Sequence, residues 1–116
     1  MKIIEYKKIK PTEFNKDKMK GVAARVVIGK NDGAENFYMR VFEVSAGGHS
    51  PVHSHDWEHE IFIHSGSGEV FHNGNKYPVK AGDALFIPAN EEHQLINTSG
   101  DLLVFVCLIP SKAPEL

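Results

Sequence analysis

Turn signals recur at short intervals along most of the chain, and this spacing is the strongest constraint on its fold. In the second half they fall at Gly66-Ser67-Gly68, Asn73-Gly74-Asn75, Ala81-Gly82-Asp83 and Pro88-Ala89-Asn90. The segments between the turns are rich in β-branched and aromatic residues, which favour strands. Short strands with turns every ~8–12 residues are typical of an all-β sandwich or small barrel.

The pattern predicts eight or nine short strands. Eight have definite bounds, at residues 22–28, 37–44, 58–64, 69–72, 76–79, 84–87, 93–97 and 102–109. Evidence for helices is thin: Thr12 follows Pro11 and is predicted to cap one helical turn that runs to about Met19. Residues 110–116 are interpreted as a tail.

Composition narrows the class of protein. The 116 residues suffice for one domain, 1–116, and include 13 basic and 15 acidic side chains without a block of like charge. A nucleic-acid partner is therefore not expected, because phosphate binding calls for a basic excess. The longest apolar run, residues 102–109, is too short to span a bilayer. A lone cysteine, Cys107, cannot form an internal disulfide, and this favours a cytoplasmic protein.

Histidine is the anomaly, with five of the seven residues lying between His49 and His64. His53 and His55 are two apart, so both face one side of an extended segment, and His59 shares their parity. His93 begins a later strand that a barrel can bring alongside. Most single histidines are either exposed or packed in a core. A His-x-His pair close to a third histidine is less often explained in that way. Four neutral imidazoles around one interior point would form a metal site.

Two segments carry these histidines in a recognisable order. They read Gly47-x5-His53-x-His55-x3-His59-x6-Gly66 and Gly82-x5-Pro88-x-Asn90-x2-His93-x3-Asn97. Residues 47–66 resemble the first cupin motif and residues 82–97 the second, with fifteen residues between them. The resemblance implies a cupin jelly-roll β-barrel, also called a double-stranded β-helix, in a single domain. Asn90 stands where the family usually has glycine, and asparagine tolerates the left-handed conformation of such a turn.

The third ligand of the first motif has two candidates. The family usually has glutamate separated from the second histidine by three or four residues, and these spacings give His59 and Glu60 here. Neighbouring residues of a strand face opposite sides, so one of them points inward. The six-residue spacing to Gly66 favours His59. The resemblance to small four-histidine cupins then implies one divalent metal per chain on His53, His55, His59 and His93.

The resemblance implies manganese or iron, although imidazole also suits zinc, nickel and copper. Four neutral ligands leave the full +2 charge on the ion, which favours anionic or enolisable oxygen donors. We expect a dioxygenase-like oxidoreductase that acts on a small organic molecule. The alternatives are a non-enzymatic binding or sensing cupin and a metal-assisted isomerase or lyase. Oxygen consumption separates the first from the others.

Several other residues carry two interpretations each. Arg40 interrupts an apolar strand. Its side chain either faces solvent or forms an ion pair, or it anchors an anionic substrate. Cys107 is either a small buried hydrophobe or a thiol near the pocket. Trp57 covers the mouth of the site or packs at an interface. Apolar residues of both parities at 22–28 and 102–109 indicate strands buried on both faces, so we expect a homodimer.

Overall fold

The structure, a computed structural model, describes residues 1–116 and contains nine β-strands. They are β1 (Thr12–Lys16), β2 (Met19–Ile28), β3 (Phe37–His49), β4 (His59–Ser65), β5 (Ser67–His72), β6 (Asn75–Lys80), β7 (Ala84–Ile87), β8 (His93–Ile96) and β9 (Leu103–Pro110). The only helices are single 3-10 turns at Tyr6–Lys8 and Lys30–Asp32. None of the helical segments is long and apolar enough to cross a membrane. The prediction of an all-β fold built from short strands is confirmed.

All nine strands join one antiparallel sheet, in the order β6-β5-β8-β3-β9-β4-β7, with β2 also beside β3 and β1 beside β2. The thirteen-residue β3 connects the two ends of the fold, because it pairs with β9 over residues 37–44 and with β8 at His49. The sheet curls into a half-barrel, and the expected jelly-roll architecture is confirmed.

The period-two alternation of each strand separates the inside of the barrel from the outside. On β4 the inward side chains are His59, Ile61 and Ile63, and the outward ones are Glu60, Phe62 and His64. Inside, Phe42 of β3 stacks on Phe105 of β9 with ring centroids 5.2 Å apart. The main apolar core is therefore the lining of the barrel.

Part of the outer surface is also buried, as the apolar residues of both parities in β2 and β9 predicted. Val27, Val41 and Val104 form a second small cluster on the outer face. Tyr6 and Ile9 of the N-terminal segment pack against it. The chain's own N-terminus covers this patch, so no second chain is needed there.

The predicted helical turn from Thr12 to about Met19 is wrong. Thr12–Lys16 is a strand, and it pairs with β2 in a hairpin that places Phe14 opposite Val22. Phe14 packs against the main core. The pairing with a long apolar strand outweighs the local capping preference of Thr12, as tertiary contacts often do.

Two turns depend on left-handed backbone. Gly66 has φ +84°, and a Cβ there would stand 2.3 Å from the Leu102 carbonyl oxygen, so only glycine fits between β4 and β5. Asn90 has φ +67°, so asparagine adopts the left-handed conformation expected at this turn.

Asn97 fixes the connection from β8 to β9 against β3. Its side chain is 1% exposed, and its Nδ2 donates to the carbonyl oxygens of Val44 and Asp101 at 2.8 and 2.7 Å. Its Oδ1 accepts from the backbone N–H and the hydroxyl of Ser99. A buried amide with every polar atom satisfied rigidifies its surroundings.

We therefore expect Asn97→Ala to lower the free energy of unfolding by roughly 1–3 kcal/mol, since the buried Val44 carbonyl loses its side-chain donor and the partly buried Asp101 carbonyl keeps only the Ser99 hydroxyl. Urea denaturation measures the change. Asn75→Ala, at an exposed hairpin position, is the matched control and should stay within about 0.5 kcal/mol of wild type. Equal losses for the two variants would contradict the assigned role of Asn97.

Candidate metal centre

Four histidines from three separate segments meet at one end of the barrel. His59 is the first residue of β4 and His93 the first of β8, whereas His53 and His55 lie on the connection between β3 and β4. Backbone hydrogen bonds in both directions join His53 to His93, at 3.2 and 3.0 Å. The backbone N–H of Asn90 donates to the His55 carbonyl at 2.7 Å. These contacts hold the two predicted motifs side by side.

The side chains of this histidine cluster, His53, His55, His59 and His93, face a common point. One ring nitrogen of each lies within 4.8 Å of the corresponding nitrogens of the others. His59 and His93 are buried, at 6% and 2% exposure, and His53 and His55 are half-buried. The structure thus brings together all four residues that the sequence selected, and the group could hold a metal ion.

Backbone carbonyls orient three of the four rings. The Nδ1 atoms of His53, His55 and His93 donate to the carbonyl oxygens of Pro51, Trp57 and Glu91, each at 2.9 Å. A carbonyl oxygen accepts only, so each Nδ1 carries the proton and each Nε2 keeps a free lone pair. The Trp57 ring also stacks on His55, 4.1 Å away and nearly parallel. Such partners fix the tautomer and orientation of metal-binding histidines.

His59 has a different partner. Its Nδ1 lies 3.2 Å from the Sγ of Cys107, and the Nη2 of Arg40 donates to the same sulfur at 3.0 Å. A thiol both donates and accepts weakly. His59 therefore keeps a partner in either tautomer, including the one that frees Nε2 for a metal.

Burial keeps His59 and His93 neutral. It lowers the pKa of His59 to about 3, with the charge of Arg40 as the next cause, and lowers the pKa of His93 to about 4. Burial also lowers the pKa of His55 and raises that of the Cys107 thiol. Neutral imidazoles are the form that binds metal.

The donor set fits a transition-metal ion. The Nε2 atoms of His55 and His59 are 2.8 Å apart, close to the ~3 Å between adjacent nitrogens that bind one ion at about 2.0–2.1 Å. The buried Nε2 of His93 has no hydrogen-bond partner, although buried polar atoms are normally paired. A cation at the common point would satisfy these lone pairs.

The cluster opens into an apolar cavity of about 410 Å³, here called the inner cavity. Its walls include Phe42, Ile61, Leu95 and Phe105, together with Arg40 and Cys107. Cys107 is buried at 3% exposure, and its thiol lies on the wall of this cavity. Arg40 is buried too, at 8% exposure, so the interpretation as a solvent-facing side chain is wrong.

Glu60, its neighbour Glu58 and the three remaining histidines lie apart from the cluster. Glu60 is exposed on the outer face of β4, and Glu58 is exposed beside it. His72 pairs with Glu91 at 2.6 Å, and His64 is exposed. His49 contacts the Ser50 carbonyl at 3.0 Å. None of these side chains joins the four histidines.

Part of the cavity wall comes from residues that the sequence did not select. Phe14 and Met19, from the hairpin interpreted as a helical turn, line the cavity, as do Pro114 and Leu116 of the segment interpreted as a tail. The one available signal was Phe14, a large apolar residue between polar neighbours on both sides.

Solved structures of other proteins share this fold. The polyketide cyclase RemF from Streptomyces resistomycificus is 33% identical, with a TM-score of 0.91, and the match covers 98% of this chain and 82% of the cyclase. A predicted oxalate decarboxylase from Thermotoga maritima is 27% identical, with a TM-score of 0.84, over 95% of this chain and 99% of that one.

A curated relative matches over a shorter segment. The oxalate-binding protein of Thermotoga maritima is 39% identical over 59 residues, which are 50% of this chain and 49% of that protein. The chain thus matches about half the length of this relative. The sequence model of the cupin domain matches residues 40–109, more than half of the chain. The protein therefore belongs to the cupin family.

Proposed function

We propose that the protein is a metal-dependent cupin in which His53, His55, His59 and His93 bind one divalent transition metal. The observation that supports this most directly is the convergence of four imidazoles on one point of an apolar cavity. The family resemblance favours manganese or iron, and zinc, nickel and copper suit the same ligands. A buried, unpaired cysteine is consistent with the cytoplasmic location that we also propose.

We propose further that the site acts on a small, enolisable carbonyl compound, as a metal-assisted lyase, isomerase or cyclase. When bound, a divalent ion supplies Lewis acidity to a carbonyl oxygen, and this is strongest where no carboxylate ligand offsets its charge. The polyketide cyclase matches nearly the whole of this chain at 33% identity, which supports this class of reaction over the dioxygenase-like one. The oxalate-binding relative supports a small oxygen-rich ligand.

The residues of the chain have separate tasks in this proposal. The carbonyl partners of Nδ1 hold three imidazoles in the tautomer that presents Nε2. The apolar walls formed by Phe42, Ile61 and Phe105 bind the carbon skeleton and exclude water, which strengthens electrostatic interactions in the cavity. No Asp or Glu side chain lines the cavity, so the site depends on positioning and polarisation rather than on a carboxylate base.

The ligand set is tested by the metal content of purified protein. Wild type should hold about one transition metal per chain, and His59→Ala should hold at least tenfold less, because it removes a buried ligand that faces the common point. Glu60→Ala, which removes the exposed neighbour of His59, is the matched control and should keep its metal. Elemental analysis of all three proteins measures this, and metal loss in Glu60→Ala alone would contradict the ligand set.

The reaction class is tested by hydrogen–deuterium exchange at the enolisable carbon of phenylpyruvate under nitrogen. Metal-loaded protein should accelerate the exchange followed by NMR at least tenfold over buffer, and His59→Ala should not. Glu60→Ala serves again as the control. Oxygen uptake with this compound in air, and no exchange without oxygen, would instead support the dioxygenase-like oxidoreductase. Tight binding without either reaction would support a binding or sensing protein.

We propose that two copies associate through the outer apolar face, formed by Met39, Phe62, Phe86, Val106 and Leu108. Phe62 and Phe86 are 49% and 60% exposed on adjacent strands. The N-terminal segment covers the neighbouring valine cluster and leaves this part of the sheet open. A contiguous exposed apolar patch of this kind indicates an interface, and a self-complementary face gives a two-fold dimer.

Light scattering at micromolar concentration should therefore give twice the chain mass of 12.9 kDa. Phe86→Lys should give the monomer mass, because a buried unpaired lysine is costly in an interface. Tyr77→Lys changes a side chain of similar exposure on β6, at the far end of the sheet, and should stay dimeric. A monomeric wild type would contradict this proposal.

A further inference from the structure

The two arginines of the chain have opposite surroundings. Arg25 forms an ion pair with the Glu43 carboxylate and donates to the Ile9 carbonyl. Arg40 is 8% exposed, yet no carboxylate oxygen lies within 4.0 Å of its guanidinium. The buried arginine is thus the one without a counter-charge.

The contacts of Arg40 are few and neutral. Nη2 donates to the Cys107 sulfur at 3.0 Å, and Nη1 donates to the Glu115 carbonyl at 3.3 Å. Its Nε is buried without a partner, and its guanidinium carbon lies 5.0 Å from the centre of the Phe42 ring. A guanidinium has five N–H donors, so most of its hydrogen-bonding capacity is unused.

A buried charge normally has a partner, because desolvation costs several kcal/mol for each ion. The strand register keeps Arg40 inside, directly opposite Cys107 of β9. It lines the same cavity as the histidine cluster, and one sulfur atom separates it from His59. A ligand that enters the cavity can therefore contact both.

We propose that Arg40 is the anion-binding residue of the inner cavity and that the natural ligand is an organic carboxylate with an apolar body. Electrostatics and shape both favour this class. The side chains that line the cavity supply one cation, four imidazoles and no carboxylate, so these side chains place no negative charge against a bound anion. The aromatic and aliphatic walls match a hydrocarbon portion, and the volume of about 410 Å³ admits a molecule larger than a dicarboxylate of two carbons.

This inference rests on the proposed function for the role of the metal, but binding of the anion to Arg40 is separable from it. The guanidinium and the apolar walls are present with or without an ion. Anion recognition is therefore measured first on protein freed of metal with a chelator, at pH 8. Trp57 is the only tryptophan and lines the cavity, so its fluorescence reports occupancy.

The probes are 3-phenylpropionate and its neutral counterpart, 3-phenylpropanamide. Wild type should bind the carboxylate about tenfold to a hundredfold more tightly than the amide, as expected for charge-assisted hydrogen bonds in a desolvated place. Arg40→Met should abolish this preference by weakening carboxylate binding while amide binding stays the same. Lys76→Met removes an exposed cation on β6 and should behave as wild type.

Equal affinity of wild type for the two probes, or a carboxylate preference that survives in Arg40→Met, would overturn the proposal. Circular dichroism establishes that the variants fold. If Arg40→Met does not fold, Arg40→Lys replaces it. Lysine keeps the charge but lacks the planar fork, so it should retain part of the preference, and a full wild-type preference would overturn the assigned role of the fork.

Repetition with metal-loaded protein separates this inference from the proposed function. Carboxylate selectivity that depends on Arg40 in a protein that binds no metal would support the inference and contradict the proposed metal site. Metal binding to the histidine cluster without carboxylate selectivity would support the proposed metal site and contradict the inference.

Discussion

The reciprocal backbone pairing of His53 with His93 is the interaction on which the candidate site depends. The residues between β3 and β4 belong to no long strand, so His53 and His55 depend on individual hydrogen bonds rather than on a strand ladder. Nearer β3, Ser50 bonds to Leu95 of β8. Two backbone hydrogen bonds join His53 to His93 of β8, and another runs from the N–H of Asn90 to the His55 carbonyl. The left-handed backbone of Asn90 aims that donor. A turn residue in one motif thereby positions a histidine in the other.

The surroundings of the histidine cluster are those of a binding site rather than of a core that only stabilises the fold. Apolar walls lower the pKa of His59 and His93 and keep the rings neutral, but they also leave the His93 Nε2 without a partner. In the neutral rings that backbone carbonyls orient, the Nε2 atoms carry no proton, so these atoms cannot hydrogen-bond to one another. A core built only for stability would replace such groups with apolar side chains. This cost is typical of a preorganised binding site.

Much of the architecture could be predicted because it depends on local rules. Turn residues and alternation located eight of the nine strands within a few residues, and parity placed His53, His55 and His59 on one face. The strand at Thr12–Lys16 was missed because its pairing partner, β2, decides its conformation. The contact from Arg40 through Cys107 to His59 joins three strands. Neither its existence nor the absence of a counter-charge on Arg40 can be derived from spacing along the chain.

The register of β4 has a consequence for charge. It turns His59 inward and Glu60 outward, and a shift by one residue would exchange them. A glutamate ligand would reduce the net charge of a divalent site by one and would stand near the guanidinium of Arg40 as a counter-ion. With His59 inward, neither compensation exists. The cavity then combines a buried guanidinium with a ligand set that leaves the charge of a divalent ion intact, and both charges attract anionic oxygen. The register of one strand thus links the proposed metal chemistry to the proposed selectivity for carboxylates.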